Sequence, residues 1–456
     1  MFASSTYTER RRELAARLDS GLVLLLGNAD SPMNYAANIY PFRQDSSFLY
    51  YCGLDLPDLA AAIDIDTGET VIFGDELTID HIVWMGDQPT LVDQAAEVGV
   101  AATRPRADLA TVVRQAVSTG RDVHLLPPYR ADNHRLLKDI LSAEPVPSRA
   151  LIEAVVAQRS IKSDEEIAEI EQAVDLSVDM HVAAMRMVRP GLRESDVAAE
   201  VERIAHAANS RPSFPPIATV HGEILHNLHH HNTMQSGDLF LLDTGAESPL
   251  HYAGDLSSTF PVDPVFTERQ KIMYELALAS HEAALATVKP GVPNTDTHYN
   301  AVRAIVDGMK ELGLMKGDTD VAMAVGAHAM FMPCGVGHMM GLDVHDMEDL
   351  GEQLVGWNGA PKSTQFGLKS LRLGRELEPG FVLTIEPGIY FIPKLIDLWR
   401  AENRHRDFLV YEEIDKWRDF GGIRNEEDVL VTTDGKRVLG KPKPKTVAEI
   451  EALRAG

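Results

Sequence analysis

Cysteine is nearly missing from this chain: two residues, Cys52 and Cys334, in 456. A disulfide framework is excluded, and a chain of this length can bury a sizeable core without covalent staples. A reducing, cytoplasmic compartment is the expectation. Basic residues are also short, 43 Lys and Arg against 68 Asp and Glu, for a formal net charge of −25. Nucleic acid and anionic membrane surfaces are therefore poor partners. The apolar run GLVLLLG at 21–27 falls well short of the roughly 20 residues that span a bilayer, and it reads as a buried strand. The opening stretch MFASSTYTERRRELAARLDS lacks the apolar core and small-residue cleavage site of a signal peptide. No Ser/Gly linker or low-complexity tract divides the chain.

What is present is an ordinary globular composition, 45% hydrophobic and 24% charged, long enough for two or three domains. Residues 1 to about 150 alternate strand-like runs (AAIDID, ETVIFG, DVHLLPP) with helical stretches such as LATVVRQAVST. That is the pattern of an α/β domain. EPVPSRA breaks it, and SDEEIAEIEQAVDLSVDMHVAAMRMV follows. Ser163 with Glu166 three residues on reads as a capping-box helix start. The expected division is an α/β domain over 1–157 and a second domain over 158–456.

The second domain carries an internal repeat. Long helical stretches end in VRPG (188–191) and VKPG (288–291). Downstream lie GDLFLLDTG from Gly237 and GFVLTIEPG from Gly380. In both, a carboxylate stands six residues after a glycine and two before another, so Asp243 overlays Glu386. Two short apolar strands can resemble each other by chance. The apolar residues explain a strand, but nothing in a core explains an acid at its end.

Other polar residues also end apolar runs: Asp255 in YAGDLSSTFPV, His338 in MPCGVGHMMGLDVHD, and Glu426 or Glu427 in GGIRNEEDVLVTT. Taken singly, an Asp before Gly is usually a turn residue and a lone His in an apolar run a core residue. Together they form four carboxylates and one imidazole with few Arg or Lys nearby, and buried carboxylates need a partner. This hard donor set suits Mn2+, Co2+ or Mg2+-like ions, and Zn2+ less exclusively. Four carboxylates exceed the needs of one ion; two ions ~3.5–4 Å apart would use them. The chemistry is then metal-assisted hydrolysis.

The segments GDLFLLDTGAE, YAGDLSSTFPV, MPCGVGHMMGLDVHD, LTIEPGIYFI and FGGIRNEEDVLVT closely resemble the pita-bread metallopeptidases, in the prolidase and aminopeptidase P branch. VVAQRSIKSDEEI resembles that family's domain junction and FRQDSSFLYYCG its N-terminal domain. The resemblance implies an N-terminal α/β domain and a pseudo-twofold α+β catalytic domain with a curved antiparallel sheet. It implies two metal ions held by Asp243, Asp255, His338, Glu386 and Glu426, the first glutamate of RNEED. Asp243 and Asp255 would serve one ion, His338 and Glu386 the other, with Asp255 or Glu426 bridging. His226 resembles a substrate-side histidine, with a surface residue as the plain alternative. His345 resembles one that stabilises the tetrahedral intermediate, with a strand-end turn as the alternative. Arg424 resembles an arginine that orients the last glutamate. Glu386 would move a proton to the leaving nitrogen. The implied substrate is a small peptide with proline second, whose tertiary amide offers no N–H for a strand-like ladder.

Within that branch, prolidase cleaves dipeptides and aminopeptidase P trims longer chains. FGLKSLRLGRELEPG and the insertion before the last strand follow the prolidase pattern. Arg372 matches an arginine that reads the substrate's C-terminal carboxylate, a task suited to a guanidinium; a solvated loop arginine is the alternative. Trp84 in IVWMGDQ resembles a tryptophan that reaches a neighbouring subunit's site, and the family suggests a homodimer; core burial is its alternative. Cys334 stands where the family normally has histidine, four residues before the histidine ligand, and alters hydrogen bonding on the substrate side. A role for it as nucleophile has no triad pattern behind it. A metal-free binding module on the same fold would be expected to have lost ligands, and all five are here. HNLHHHN reads as a solvated turn, and GKPKPKT as an exposed loop before a final helix.

Overall fold

The computed structural model describes residues 1–455; Gly456, the last residue of the second expected domain, lies outside the described residues. The chain divides into two compact units, Met1–Arg159 with Asp349–Leu354, and Ser160–Glu348 with Val355–Gly456. No helix of the described residues is long and apolar enough to cross a membrane.

The first unit is built on a mixed sheet of β1 (Leu22–Leu26), β2 (Ala60–Asp64), β3 (Thr70–Phe73), β4 (Ala102–Arg104) and β5 (Val123–Leu125), in the order β4-β3-β2-β1-β5. The LVLLL run is buried on both faces because side chains alternate across a strand. Leu22 and Leu24 join Ala60, Phe73 and residues of the helices Leu109–Ser118 and Ala131–Leu141 in one core. The α/β expectation for this part of the chain holds.

The second unit repeats one plan twice. The helix Asp164–Met187 is capped as the sequence predicts: Ser163 Oγ accepts from Glu166 N (3.3 Å) and Glu166 Oε2 from Ser163 N (3.0 Å). The helix Glu268–Thr287 starts the same way, with Thr267 and Gln270. Each long helix is followed by a shorter partner, Glu194–Ala207 and Asn294–Glu311. Gly191 N–H donates to Met234 O and Gly291 N–H to Leu377 O, both at 2.9 Å. Glu194 N–H donates to Asn232 O and Asn294 N–H to Arg375 O. The two halves thus share hydrogen bonds at matching positions, which chance likeness of two apolar strands does not produce.

In the first half β6 (Ile217–Thr219), β7 (Leu239–Thr244) and β8 (Leu256–Pro261) form an antiparallel sheet. In the second, β9 (Val382–Ile385) is followed by β10 (Gly388–Tyr390), β11 (Gly422–Arg424), β12 (Glu427–Val431) and β13 (Lys436–Val438). β12 pairs antiparallel with both β9 and β13, and β10 with β11. β7 and β9 are the overlaid strands, both wholly buried.

Candidate metal centre

Strand ends bring the acids together. Asp243 sits near the end of β7, opposite Ser257 in β8, and Asp255 immediately precedes β8. The turns either side of this pair need glycine. A Cβ on Gly245 would lie 1.8 Å from the Gly254 carbonyl oxygen, so no side chain fits between the chain leaving Asp243 and the chain entering Asp255. In the other half Glu386 follows β9 and Glu426 immediately precedes β12, its antiparallel partner. Each half therefore supplies one acid leaving a strand and one entering the next.

His338 reaches the same place on a segment laid along β9. Thr384 N–H donates to His338 O (3.0 Å), His338 N–H to Thr384 Oγ1 (3.1 Å), and Glu386 N–H to Val336 O (2.7 Å). Gly337 permits this approach, since a Cβ there would stand 1.9 Å from Thr384 O. His338 Nδ1 lies 3.0 Å from Met339 O. A carbonyl only accepts, so Nδ1 carries a proton, and Nε2, the nitrogen left to ligate, faces away from the backbone. What it faces are carboxylates: Asp255 Oδ2 at 3.5 Å and Glu386 Oε1 at 3.4 Å.

Asp255, His338 and Glu426 are all buried, and their ligand atoms lie within 4.8 Å of one another. Asp243 and Asp255 each leave Oδ1 buried without a hydrogen-bond partner. Burial first, then the neighbouring charges of Asp243, Asp428 and Glu386, push the Asp255 carboxyl well above the usual range. Burial and the charges of Asp255, Glu386 and Asp243 do the same to Glu426. Orphaned oxygens, repelling acids and an imidazole nitrogen aimed among them fit divalent cations and fit little else.

Arg424 stands behind the acids, 3% exposed. Its Nη2 donates to Asp243 Oδ2 (2.5 Å), its Nη1 to the Tyr390 hydroxyl (2.9 Å) and its Nε to Ser257 Oγ (3.0 Å). Ser257 Oγ in turn donates to Glu426 Oε2 (2.7 Å). The arginine thus meets Asp243 directly and reaches Glu426 only through Ser257, a residue the sequence does not single out.

His345 packs edge-on to His338, ring centroids 4.2 Å apart. Its Nδ1 lies 2.6 Å from Glu348 Oε2. A carboxylate accepts, so Nδ1 donates. Burial and the adjoining His338 ring pull this imidazole down to about 4. Glu348 Oε1 holds the Arg372 guanidinium, so one carboxylate ties together two residues that the family resemblance singles out. Nothing in the sequence marks Glu348. Cys334 is half-buried near Glu386, and burial pushes its thiol up to about 12, so it stays protonated at neutral pH. His226 is exposed, one residue after Leu225, whose carbonyl accepts from Arg424 Nη2 at 3.4 Å. Trp84 belongs to the first unit and is 85% exposed, which excludes core burial.

A pseudo-twofold antiparallel fold that gathers four acids and an imidazole into one cluster defines a metal-dependent hydrolase. Residues 168–433 match metallopeptidase family M24, and residues 7–125 match the aminopeptidase P N-terminal domain. The chain belongs to metallopeptidase family M24; it is an enzyme on the pita-bread fold and works with divalent metal ions. It is 32% identical to the human Xaa-Pro dipeptidase, with 98% of this chain and 91% of that one covered. It is 30% identical to the Xaa-Pro aminopeptidase of Escherichia coli strain K12, covering 98% and 97%. The solved Pseudomonas aeruginosa aminopeptidase PepP superposes with a TM-score of 0.83 at 30% identity, covering 100% of this chain and 98% of that one. A zinc-substituted E. coli aminopeptidase P in complex with product gives 0.82 at 28% identity, with the same coverage.

Proposed function

We propose that this enzyme hydrolyses the bond preceding proline in Xaa-Pro dipeptides, with two divalent ions held by Asp243, Asp255, His338, Glu386 and Glu426. The observation that carries this is His338 Nε2 turned onto Asp255 and Glu386 inside a buried acid cluster. Mn2+ is the expected ion for so carboxylate-rich a set, with Co2+ or Zn2+ as substitutes. Bound ions supply Lewis acidity and a nucleophilic water at neutral pH.

The chain's own residues do the rest. Glu386 is the most exposed of the five, its side chain 22% accessible, so it meets substrate and can pass a proton to the leaving proline nitrogen. Arg424 and Ser257 hold Asp243 and Glu426 in place. His345 donates its Nδ1–H to Glu348, which fixes the ring's orientation and leaves Nε2 as its hydrogen-bond acceptor on the other side. His226 and Cys334 line the substrate side, the thiol as a weak hydrogen-bond partner where an imidazole would be stronger.

The second reading is an aminopeptidase P acting on longer Xaa-Pro peptides. It draws on the E. coli and P. aeruginosa relatives and on Glu348, which already occupies Arg372. Turnover of Gly-Pro against Gly-Pro-Ala-Ala, with Mn2+ restored, separates the two; no Gly-Pro hydrolysis removes the dipeptidase. If Arg372 reads the dipeptide's carboxylate, Arg372→Ala raises KM for Gly-Pro roughly 10- to 100-fold, the worth of a charged hydrogen bond, and leaves the tetrapeptide unaffected. Equal effects on both substrates would assign Arg372 elsewhere.

A cytoplasmic homodimer, with the domain boundary near residue 158, completes the proposal. The helix Ile79–Met85 buries none of its residues and exposes Ile79, Val83, Trp84 and Met85, an apolar surface of the kind that marks an interface. A monomer in sedimentation velocity would remove the dimer.

A further inference from the structure

The tail segment GKPKPKT, an exposed loop by composition, is not one throughout. Lys443 is 8% exposed and lies against the strands that carry the acids. A residue before proline is held extended, and residues two apart in an extended chain share a face. Lys-Pro-Lys thus sends the side chains of Lys443 and Lys445 inward together, and each finds a partner there.

We infer that Lys443, assisted by Lys445, is a positioning residue for the metal ligands, acting through Ser257, Ser258 and Glu427. This rests on the ligand set proposed above. Lys443 Nζ donates to Ser257 O (2.6 Å) and to Ser258 Oγ (3.0 Å). The same Ser257 carbonyl accepts from Glu426 N–H (3.2 Å), and Ser257 Oγ donates to Glu426 Oε2. One ammonium therefore fixes the residue that fixes Glu426 by backbone and side chain at once.

A second path runs from Ser258 toward Asp243. His181, fully buried, sets Nε2 3.1 Å from Thr244 O and Nδ1 2.9 Å from Ser258 Oγ. The carbonyl accepts, so Nε2 carries the proton and Nδ1 takes the Ser258 proton. Ser258 Oγ then has its lone pairs free for Lys443. Donation runs one way from the tail to Thr244, the residue after Asp243. Burial and the Lys443 charge pull His181 down to about 3, consistent with this neutral ring.

Charge explains why lysines stand here. Glu427 and Asp428 follow Glu426 directly and are buried. Asp428 Oδ2 accepts from Asp255 N–H (3.0 Å), which ties it to the backbone of the acid cluster. Lys445 Nζ pairs with Glu427 Oε2 (3.0 Å) and Glu282 Oε1 (2.9 Å). Lys443 brings positive charge beside Asp428. The two tail lysines offset the acids that the bound cations do not.

The test is Mn2+ affinity of the purified full-length apoprotein, by competition with a chelator, for wild type, Lys443→Met and Lys443→Arg. Lys443→Met is expected to bind Mn2+ about 10- to 100-fold more weakly, the usual cost of losing a group behind a ligand, and Lys443→Arg to recover most of that loss. A lysine that only stabilises the fold would lower the apoprotein Tm and leave Mn2+ affinity within twofold of wild type, which overturns the inference. If Lys443→Met does not fold, Ser258→Ala, which removes one lysine acceptor and the His181 link, is measured instead. Weakened Mn2+ binding upholds the inference and unchanged binding overturns it. Wild type that binds no Mn2+ would instead overturn the ligand set itself.

Discussion

Asp255→Asn is expected to abolish peptidase activity and, without metal, to make the protein more heat-stable. The two effects share one cause. Asp255 is buried beside Asp243, Asp428 and Glu386, and these raise its carboxyl well above the unfolded value. A carboxyl raised by folding costs stability when ionised, so the penalty is present at neutral pH and fades as pH falls toward the unfolded range. An amide carries no such charge and leaves the Asp255 backbone donation to Asp428 in place. Activity fares the other way. Lewis-acid stabilisation is worth several kcal/mol, and each 1.36 kcal/mol is a decade, so kcat/KM falls roughly 10^3-fold or more. Calorimetry with and without Mn2+ checks both: the variant's apo Tm rises and its Mn2+-induced increment disappears. A variant with a lower apo Tm that Mn2+ still stabilises as it does wild type would mean that Asp255 is not a ligand.

Acid should unfold the enzyme steeply through two buried histidines that are not among the proposed metal ligands. His298 and His328 are buried, their rings 6.3 Å apart, and neither nitrogen of either ring has a hydrogen-bond partner. Burial pulls them down to about 3 and about 4. A histidine lowered by folding lends stability that is full above its unfolded value of about 6.5 and drains away as pH falls toward the folded value. Between pH 6.5 and pH 5 that amounts to about 2 kcal/mol per ring, at 1.36 kcal/mol per unit. Denaturant unfolding at pH 7.5 and 5.0 measures it as the difference between wild type and His298→Leu/His328→Leu. Carboxyl titrations in the metal cage are common to both proteins, so they cancel in the difference. The variant should lose markedly less stability on acidification; parallel losses would mean that the rings are hydrated and chargeable in the fold.

The sequence announces the repeat and the acids because both break a local rule. An acid closing an apolar strand has no place in a core, and Asp243 and Glu386 do so in equivalent halves. The structure explains two of the glycines nearby: backbone stands where a Cβ would go at Gly245, in the turn after Asp243, and at Gly337, just before His338. What stayed hidden breaks no rule. Ser257 is one serine in an ordinary strand, yet it links Arg424 to Glu426. Glu348 is an acid in an acidic stretch, and only the folded chain sets it between His345 and Arg372. Lys443 looked solvated because lysine between prolines usually is; its acceptors lie 186 and 185 residues away. Trp84 could be read as an interface tryptophan by resemblance or as core, and its exposure removes the core reading. Local pattern carries the elements and the strand-end acids, while long-range pairing settles which polar neighbours hold them.

The central claim is that these five side chains surround a pair of cations. The direct measurement is a crystal structure of the Mn2+-loaded enzyme with anomalous data collected at the manganese edge. Two manganese peaks ~3.5–4 Å apart, ligated by Asp243, Asp255, His338, Glu386 and Glu426, are the predicted result. A single peak, or peaks ligated by other residues, would contradict it.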